Sequence, residues 1–121
     1  MKPLTEQELH NLAMNIVGEK LQQLGYEFLA INSTLKKHPQ FILYKKGEQK
    51  IFVLVKVTSN IHNPQEYDLI WMETFKNHAK KNNARVWFAG VGIANAKSIE
   101  MPVFKDQPYY VAFEEFIKII D

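Results

Sequence analysis

The chain has 121 residues, of which 46% are hydrophobic and 23% charged, an ordinary composition for one globular domain covering residues 1–121. Its formal net charge of +2 is mild and does not by itself indicate a polyanionic partner. The absence of cysteine excludes disulfides and thiolate metal sites, and no apolar run is long enough to cross a bilayer. We therefore expect a cytoplasmic protein that does not associate with membranes.

The first element is an amphipathic helix. Thr5 and Glu8 have the spacing of a capping box, and Gly25 is a natural helix end. Between them the apolar residues follow an approximately helical period: Leu9, Leu12, Ala13, Ile16, Val17, Leu21 and Leu24. This pattern predicts a helix over Glu6–Leu24.

Three strands are predicted next. Tyr26–Ile31 has the composition of a strand, Phe41–Tyr44 follows a polar loop, and Ile51–Val57 is apolar on both faces, as expected of a central strand. The succession of these three strands predicts an antiparallel meander.

The second half of the chain predicts one more helix, a strand and a β-α ending. A helix start near Asn63-Pro64 precedes an apolar stripe, and Ala84–Ile93 is strand-like, with the Gly90-Val91-Gly92 string expected to form a turn or bulge at its end. Tyr109–Phe113 predicts a last strand and Glu114–Ile120 a short closing helix. The predicted class is α+β, a sheet with helices on its faces.

Two short strings carry the most specific information. Pro39-Gln40 lies at the head of the second strand, and Leu54-Val55-Lys56 lies within the third. Together with the order helix, meander, helix, strand over residues 5–93, they resemble the PD-(D/E)XK, or restriction-endonuclease-like, superfamily. This resemblance implies a restriction-endonuclease-like core, followed here by the β-α ending.

The resemblance also assigns roles to individual positions. Gln40 takes the place of the metal-binding aspartate, Leu54 that of the second acid, Lys56 that of the lysine, and Glu19 that of a glutamate on the first helix. A nuclease of this type holds Mg²⁺ with close carboxylates, and the metal activates water. Leu54 cannot bind a metal and Gln40 brings no charge, so the resemblance implies a degenerate site with no catalytic residue, no metal and no cofactor.

Three hypotheses follow for function. The first is a non-catalytic binding or assembly module, for which a homodimer is one option. The second is a nuclease with a rearranged Mg²⁺ site that uses Glu19, Lys56 and Glu73. The third is a nucleic-acid-binding protein without cleavage, and it depends on a lysine-rich stretch: Lys36, Lys37, Lys45, Lys46 and Lys50. Arg85 is the only arginine, which argues against specific base recognition.

The remaining polar residues have simpler expectations. Lys56 on a central strand is expected to pair with Glu19 or Glu27, because a buried unpaired ammonium is unfavourable. The histidines are not at metal-ligand spacings and are expected to lie on the surface: His10, His38, His62 and His78.

Overall fold

The computed structural model describes residues 1–120, which form two helices and six strands. In chain order these are α1 (Glu6–Gln23), β1 (Glu27–Ile31), β2 (Phe41–Tyr44), β3 (Ile51–Thr58), α2 (Leu69–Lys81), β4 (Arg85–Asn95), β5 (Tyr109–Ala112) and β6 (Ile117–Ile120). The predicted α+β class is confirmed.

All six strands belong to one mixed sheet. β1, β2 and β3 pair antiparallel in sequence, and α2 then connects β3 to β4, which runs parallel to β3. The parallel register extends from the Ile51–Arg85 pair to the Thr58–Gly92 pair. The central pair of strands therefore has its carboxyl ends at the same edge of the sheet.

Two short strands share the outer edge of β4. β6 pairs antiparallel with the beginning of β4, from Val86 to Phe88, and β5 pairs with its end, from Gly92 to Asn95. The prediction of a closing helix over Glu114–Ile120 is wrong, because the β-branched residues of β6 complete an edge of β4 that would otherwise lack a partner.

β4 continues through its glycines without a turn. Gly90 pairs with Lys56 of β3, so the expected turn or bulge at Gly90-Val91-Gly92 is absent. A Cβ at Gly90 would collide with the carbonyl oxygen of Pro64. Glycine is needed here because the Pro64 backbone lies against the backbone of β4. The Gln65 side chain spans the gap between β5 and β6: its Oε1 accepts from the Gly90 N–H at 2.8 Å, and its Nε2 donates to the Glu115 carbonyl at 2.7 Å.

The two faces of the sheet carry separate cores. Val53 and Val55 of β3 belong to the core beneath α1, whereas Phe52 and Leu54 belong to the core beneath α2. This division follows from the alternation of side chains along a strand. Neither helix within residues 1–120 has the length and apolar character needed to span a bilayer.

The helix starts follow their capping residues. The capping box of Thr5 and Glu8 is present at α1, and Gly25 after the helix has a φ of 85°. α2 begins at Leu69 rather than near Asn63, because Asp68 is its N-cap and accepts a hydrogen bond from the Trp71 N–H at 2.8 Å.

The N-terminal segment is fastened to a late loop of the chain. The Leu4 N–H donates to the Val103 carbonyl at 2.8 Å, and the Lys105 N–H donates to the Lys2 carbonyl at 2.9 Å. We call this pairing of residues 2–4 with residues 103–105 the N-terminal clasp.

Candidate functional site

A cleft opens where β3 extends beyond β2. The last regular pair between the two strands is Phe41 with Val53, whereas β3 continues to Thr58. The space left beside β3 is closed by the first turns of α1, by α2 and by residues 99–103, and it encloses about 770 Å³. It lies at the carboxyl ends of the parallel strands β3 and β4, where ligand sites of open α/β sheets are commonly found.

Gln40 is buried between two residues that line this cleft, His38 and Val55. Its side chain is 0% exposed, its Oε1 accepts from the Val55 N–H at 2.7 Å, and its backbone N–H donates to the Val53 carbonyl at 3.0 Å. Its Nε2 donates to the Lys37 carbonyl at 3.3 Å and to His38 Nδ1 at 2.6 Å. The backbone N–H and the side-chain amide of Gln40 therefore continue the hydrogen bonding between β2 and β3 to the residue that precedes β2.

The donor set at the nuclease-like positions does not fit Mg²⁺. The oxygen of Gln40 is buried against the Val55 N–H, and Leu54 is 1% exposed in the core beneath α2. Within residues 1–120, no group of three or more His, Cys, Asp or Glu side chains is arranged to hold a metal ion. These positions therefore lack the charged oxygen ligands that Mg²⁺ prefers.

Lys56 is exposed at the wall of the cleft, with its Nζ 5.0 Å from the centroid of the Trp71 ring. The expected ion pair with Glu19 or Glu27 is not formed, and Lys56 has no ion pair within residues 1–120. Glu19 is exposed on α1, which covers the opposite face of the sheet from Trp71. Because the ammonium reaches solvent, it does not require a buried counterion.

An aromatic wall lies beside Lys56. The His38 ring makes edge contacts with Trp71 and Phe75, each with centroids 5.2 Å apart, and the Trp71 and Phe75 centroids are 4.8 Å apart. All three rings line the cleft and are half-buried. The wall thus offers apolar contact next to a cation.

The contact with Gln40 fixes the tautomer of His38. Gln40 Oε1 faces an N–H, so its Nε2 must be the atom that donates to His38 Nδ1. The proton of the neutral imidazole is then on Nε2. Burial lowers the pKa of His38, and the nearby charge of Lys56 lowers it further, which favours this neutral form.

His10 is the most enclosed polar side chain of the cleft. It is 2% exposed, and its Nε2 is buried with no hydrogen-bond partner in the described part of the chain. Burial lowers the pKa of His10, and the charge that His38 carries when it is protonated acts in the same direction. The expectation of surface histidines is wrong for His10, and His38 is half-buried.

The signal for His10 is present in the sequence. The buried residues of α1 are His10, Ala13, Met14, Val17 and Leu21, which recur at intervals of three and four. His10 therefore occupies the first position of the apolar stripe. The signal for His38 is weaker, since it lies in a loop and is positioned by Gln40.

The acids considered for a rearranged site lie in different places. Glu73 is exposed, pairs with Lys76 at 3.4 Å and does not line the cleft. Glu66 and Asp68 instead border a second, polar pocket of about 470 Å³ that Lys56 also lines. Asp68 is already engaged as the N-cap of α2.

The lysine-rich stretch is divided between the two ends of β2. Lys36 and Lys37 lie in the loop before β2, and Lys36 lines the cleft. Lys45 follows β2 and donates to the Leu24 carbonyl at 3.1 Å. At that same end of the strand two further lysines, Lys46 and Lys50, are exposed. A role of these five lysines in nucleic-acid binding stays a prediction.

Comparison with curated proteins and with solved structures gives no significant match. A family model described as "Domain of unknown function (DUF8840)" matches residues 7–119, from the first turn of α1 into β6. Because the match covers nearly the whole chain, the chain belongs to the family described as Domain of unknown function (DUF8840).

Proposed function

We propose that the chain is a non-catalytic binding module that holds a small amphipathic ligand in the cleft beside β3. One observation carries this proposal: an apolar cleft of about 770 Å³ has an aromatic wall, Trp71 and Phe75, next to the exposed ammonium of Lys56. Small-molecule sites are typically concave, mostly apolar and furnished with a few polar groups that orient the ligand.

The nuclease-like positions support a role without cleavage. The side-chain oxygen of Gln40 accepts a hydrogen bond from the Val55 N–H of β3, and Leu54 packs in the core beneath α2. Both positions thus contribute to folding, while Lys56 alone of the three borders the cleft. In this proposal the chain keeps a nuclease-like scaffold and uses the neighbouring cleft for binding.

The proposal is tested with anilinonaphthalenesulfonate, a fluorescent dye that combines aromatic rings with an anionic group. Ser59 lines the cleft, so Ser59→Trp should obstruct it, whereas Ser33 is exposed in a loop that does not line it. Ser33→Trp is the matched control, since it adds the same fluorophore elsewhere.

We expect the wild type and Ser33→Trp to bind the dye equally, and Ser59→Trp to bind at least about tenfold more weakly, equivalent to about 1.4 kcal/mol. Urea unfolding of each variant shows whether the fold is kept. Equal binding by a folded Ser59→Trp variant would place the dye outside the cleft and contradict the proposal.

Nucleic-acid binding without cleavage is a second candidate, favoured by Lys36 and Lys37, which are both exposed near the mouth of the cleft. Counterion release then requires that affinity for a labelled single-stranded oligonucleotide fall steeply with added salt. The double variant Lys36→Ala, Lys37→Ala should reduce that salt dependence. Binding that does not respond to salt would eliminate this candidate.

A further inference from the structure

We propose that the ligand of the cleft is a monocarboxylate with an apolar, ring-sized body, whose carboxylate is received by Lys56, His38 and His10. This inference rests on the proposed binding function and specifies its ligand class. Three observations contribute: the free ammonium of Lys56, the fixed N–H donor of His38 and the unpartnered nitrogen of His10.

The charged side chains that line the cleft favour an anionic ligand. Lys56 has no ion pair within residues 1–120, and it lines the cleft together with Lys36. Glu6, in the first turn of α1, is the acidic member of the lining and is exposed at the mouth. The cationic side chains of the lining therefore outnumber the acidic one. Lys56 also borders the pocket of Glu66 and Asp68 but forms an ion pair with neither, so it is available to pair with a ligand carboxylate.

His38 supplies a hydrogen-bond donor with a defined position. Its Nδ1 is occupied by Gln40 Nε2 at 2.6 Å, so the neutral ring carries its proton on Nε2. Gln40 is itself held by the Val55 N–H at 2.7 Å and is fully buried. A buried amide thus holds the ring in one tautomer, because it donates a hydrogen bond to the ring nitrogen that faces away from the ligand.

His10 supplies a polar group that the protein alone does not satisfy. Its side chain is 98% buried, which follows from its 2% exposure, and its Nε2 has no partner in the described chain. Buried polar atoms are normally hydrogen-bonded, and an exception calls for an explanation. Since His10 lines the cleft, a polar ligand atom beside it would provide the missing partner.

The surroundings favour a single negative charge over two. The lining holds no arginine, and its histidines are both shifted toward the neutral form by burial. A phosphate dianion would be desolvated against apolar walls with mainly Lys56 to compensate it. A carboxylate is singly charged and accepts several hydrogen bonds, which matches the Lys56 ammonium, the Nε2–H of His38, and His10 in the tautomer that carries its proton on Nε2.

The apolar part of the lining matches an apolar ligand body. Trp71 and Phe75 form the aromatic wall, and Leu9, Leu35 and Val57 face the same space. A volume of about 770 Å³ accommodates a fused-ring body with its carboxylate arm. We therefore choose naphthyl compounds as probes.

The experiment compares naphthylacetate with naphthylacetamide and naphthyl phosphate by isothermal titration calorimetry. The amide keeps the shape and removes the charge, and the phosphate carries a second charge. We expect naphthylacetate to bind at least about tenfold more tightly than the amide, a typical effect of one charge-assisted contact.

Two variants and one control show whether the preference for the carboxylate over the amide arises in the cleft. Lys56→Met removes the charge at an exposed position and should reduce naphthylacetate affinity to the level of the amide, while amide affinity stays unchanged. Lys46→Met, at the exposed β2–β3 turn, is the matched control and should bind like the wild type. His10→Leu removes the unpartnered nitrogen with similar volume, and it should weaken naphthylacetate binding without loss of stability.

The outcomes separate the two proposals. Equal affinity for acetate and amide, abolished by Ser59→Trp, would overturn the carboxylate inference and leave the binding function standing. Tighter binding of naphthyl phosphate would also overturn it and indicate a phosphate-ester ligand. If neither these compounds nor the anilinonaphthalenesulfonate dye binds, the proposed function fails together with the inference.

Discussion

Replacement of Gln40 by methionine tests whether this residue belongs to the sheet or to a ligand site. Methionine has nearly the same length and volume but neither accepts nor donates a strong hydrogen bond. Gln40→Met therefore removes three contacts: the bond from Val55 N–H at 2.7 Å and the bonds to Lys37 and His38. Packing should be nearly conserved, so the change in stability reports on hydrogen bonding.

The magnitude follows from burial. The Val55 N–H would be left without a partner in the interior, which costs about 1–3 kcal/mol. The carbonyl of Lys37 and the Nδ1 of His38 are only partly buried and can meet water, so each contributes about 0.5 kcal/mol. We expect a total loss of about 2–4 kcal/mol, a large part of the typical 5–15 kcal/mol stability of a domain.

Urea unfolding provides the assay, with two glutamines as graded controls. Gln65→Met removes bonds to Gly90 and Glu115 at a half-buried position and should cost about 1–2 kcal/mol. Gln22→Met lies on the exposed surface of α1 and should stay within about 0.5 kcal/mol of the wild type.

The reasoning would be refuted if Gln40→Met unfolded at the same urea concentration as Gln22→Met with an unchanged slope. Gln40 would then be dispensable to the fold, and its place at the head of β2 would need another explanation. A loss in Gln65→Met that exceeds that in Gln40→Met would contradict the ranking by burial.

Three further outcomes are expected. Gly90→Ala should lower stability by about 2 kcal/mol or more, because its Cβ meets the Pro64 carbonyl, and a melting temperature equal to the wild type would refute the contact. Stability should fall as the pH drops from neutral through the ordinary histidine pKa of 6.5: burial lowers the pKa values of His10 and His38 in the folded state, so the unfolded chain binds more protons. His10→Leu should reduce the change of the free energy of unfolding with pH, measured by urea unfolding at several pH values. The same pH dependence as in the wild type would contradict the role given to His10. Neither the wild type nor Lys56→Ala should cleave plasmid or single-stranded DNA with Mg²⁺ or Mn²⁺, and cleavage that is lost in Lys56→Ala would establish the nuclease alternative.

Local signals account for most of what the sequence predicted correctly. The capping box of Thr5 and Glu8, the glycine at position 25 and the apolar run of β3 each act over a few residues, and each is present in the structure. The prediction of a helix over Glu114–Ile120 is wrong because Ile117–Ile120 forms a strand through its pairing with β4, which is distant in sequence. Tertiary pairing here overrides the short helical pattern.

The site was less predictable because its groups come from separate elements. The resemblance assigns Gln40 the place of a metal ligand. Its burial and its bond to Val55 depend instead on where β2 begins relative to β3. His10 and His38 lie far apart in the chain, and only the fold places both in the lining of one cleft. Spacing rules for metal ligands could not detect them, since neither is arranged for a metal.

The N-terminal clasp has a consequence for how the protein is made. Residues 2–4 hold residues 103–105, and the adjoining residues 99–103 line the cleft, so the cleft needs contacts between segments about 100 residues apart in sequence. Contacts of such long sequence separation form late in folding. The cleft therefore cannot close before residues 99–105 have been synthesised, and a ligand can stabilise the folded domain but cannot guide the folding of the segments made earlier.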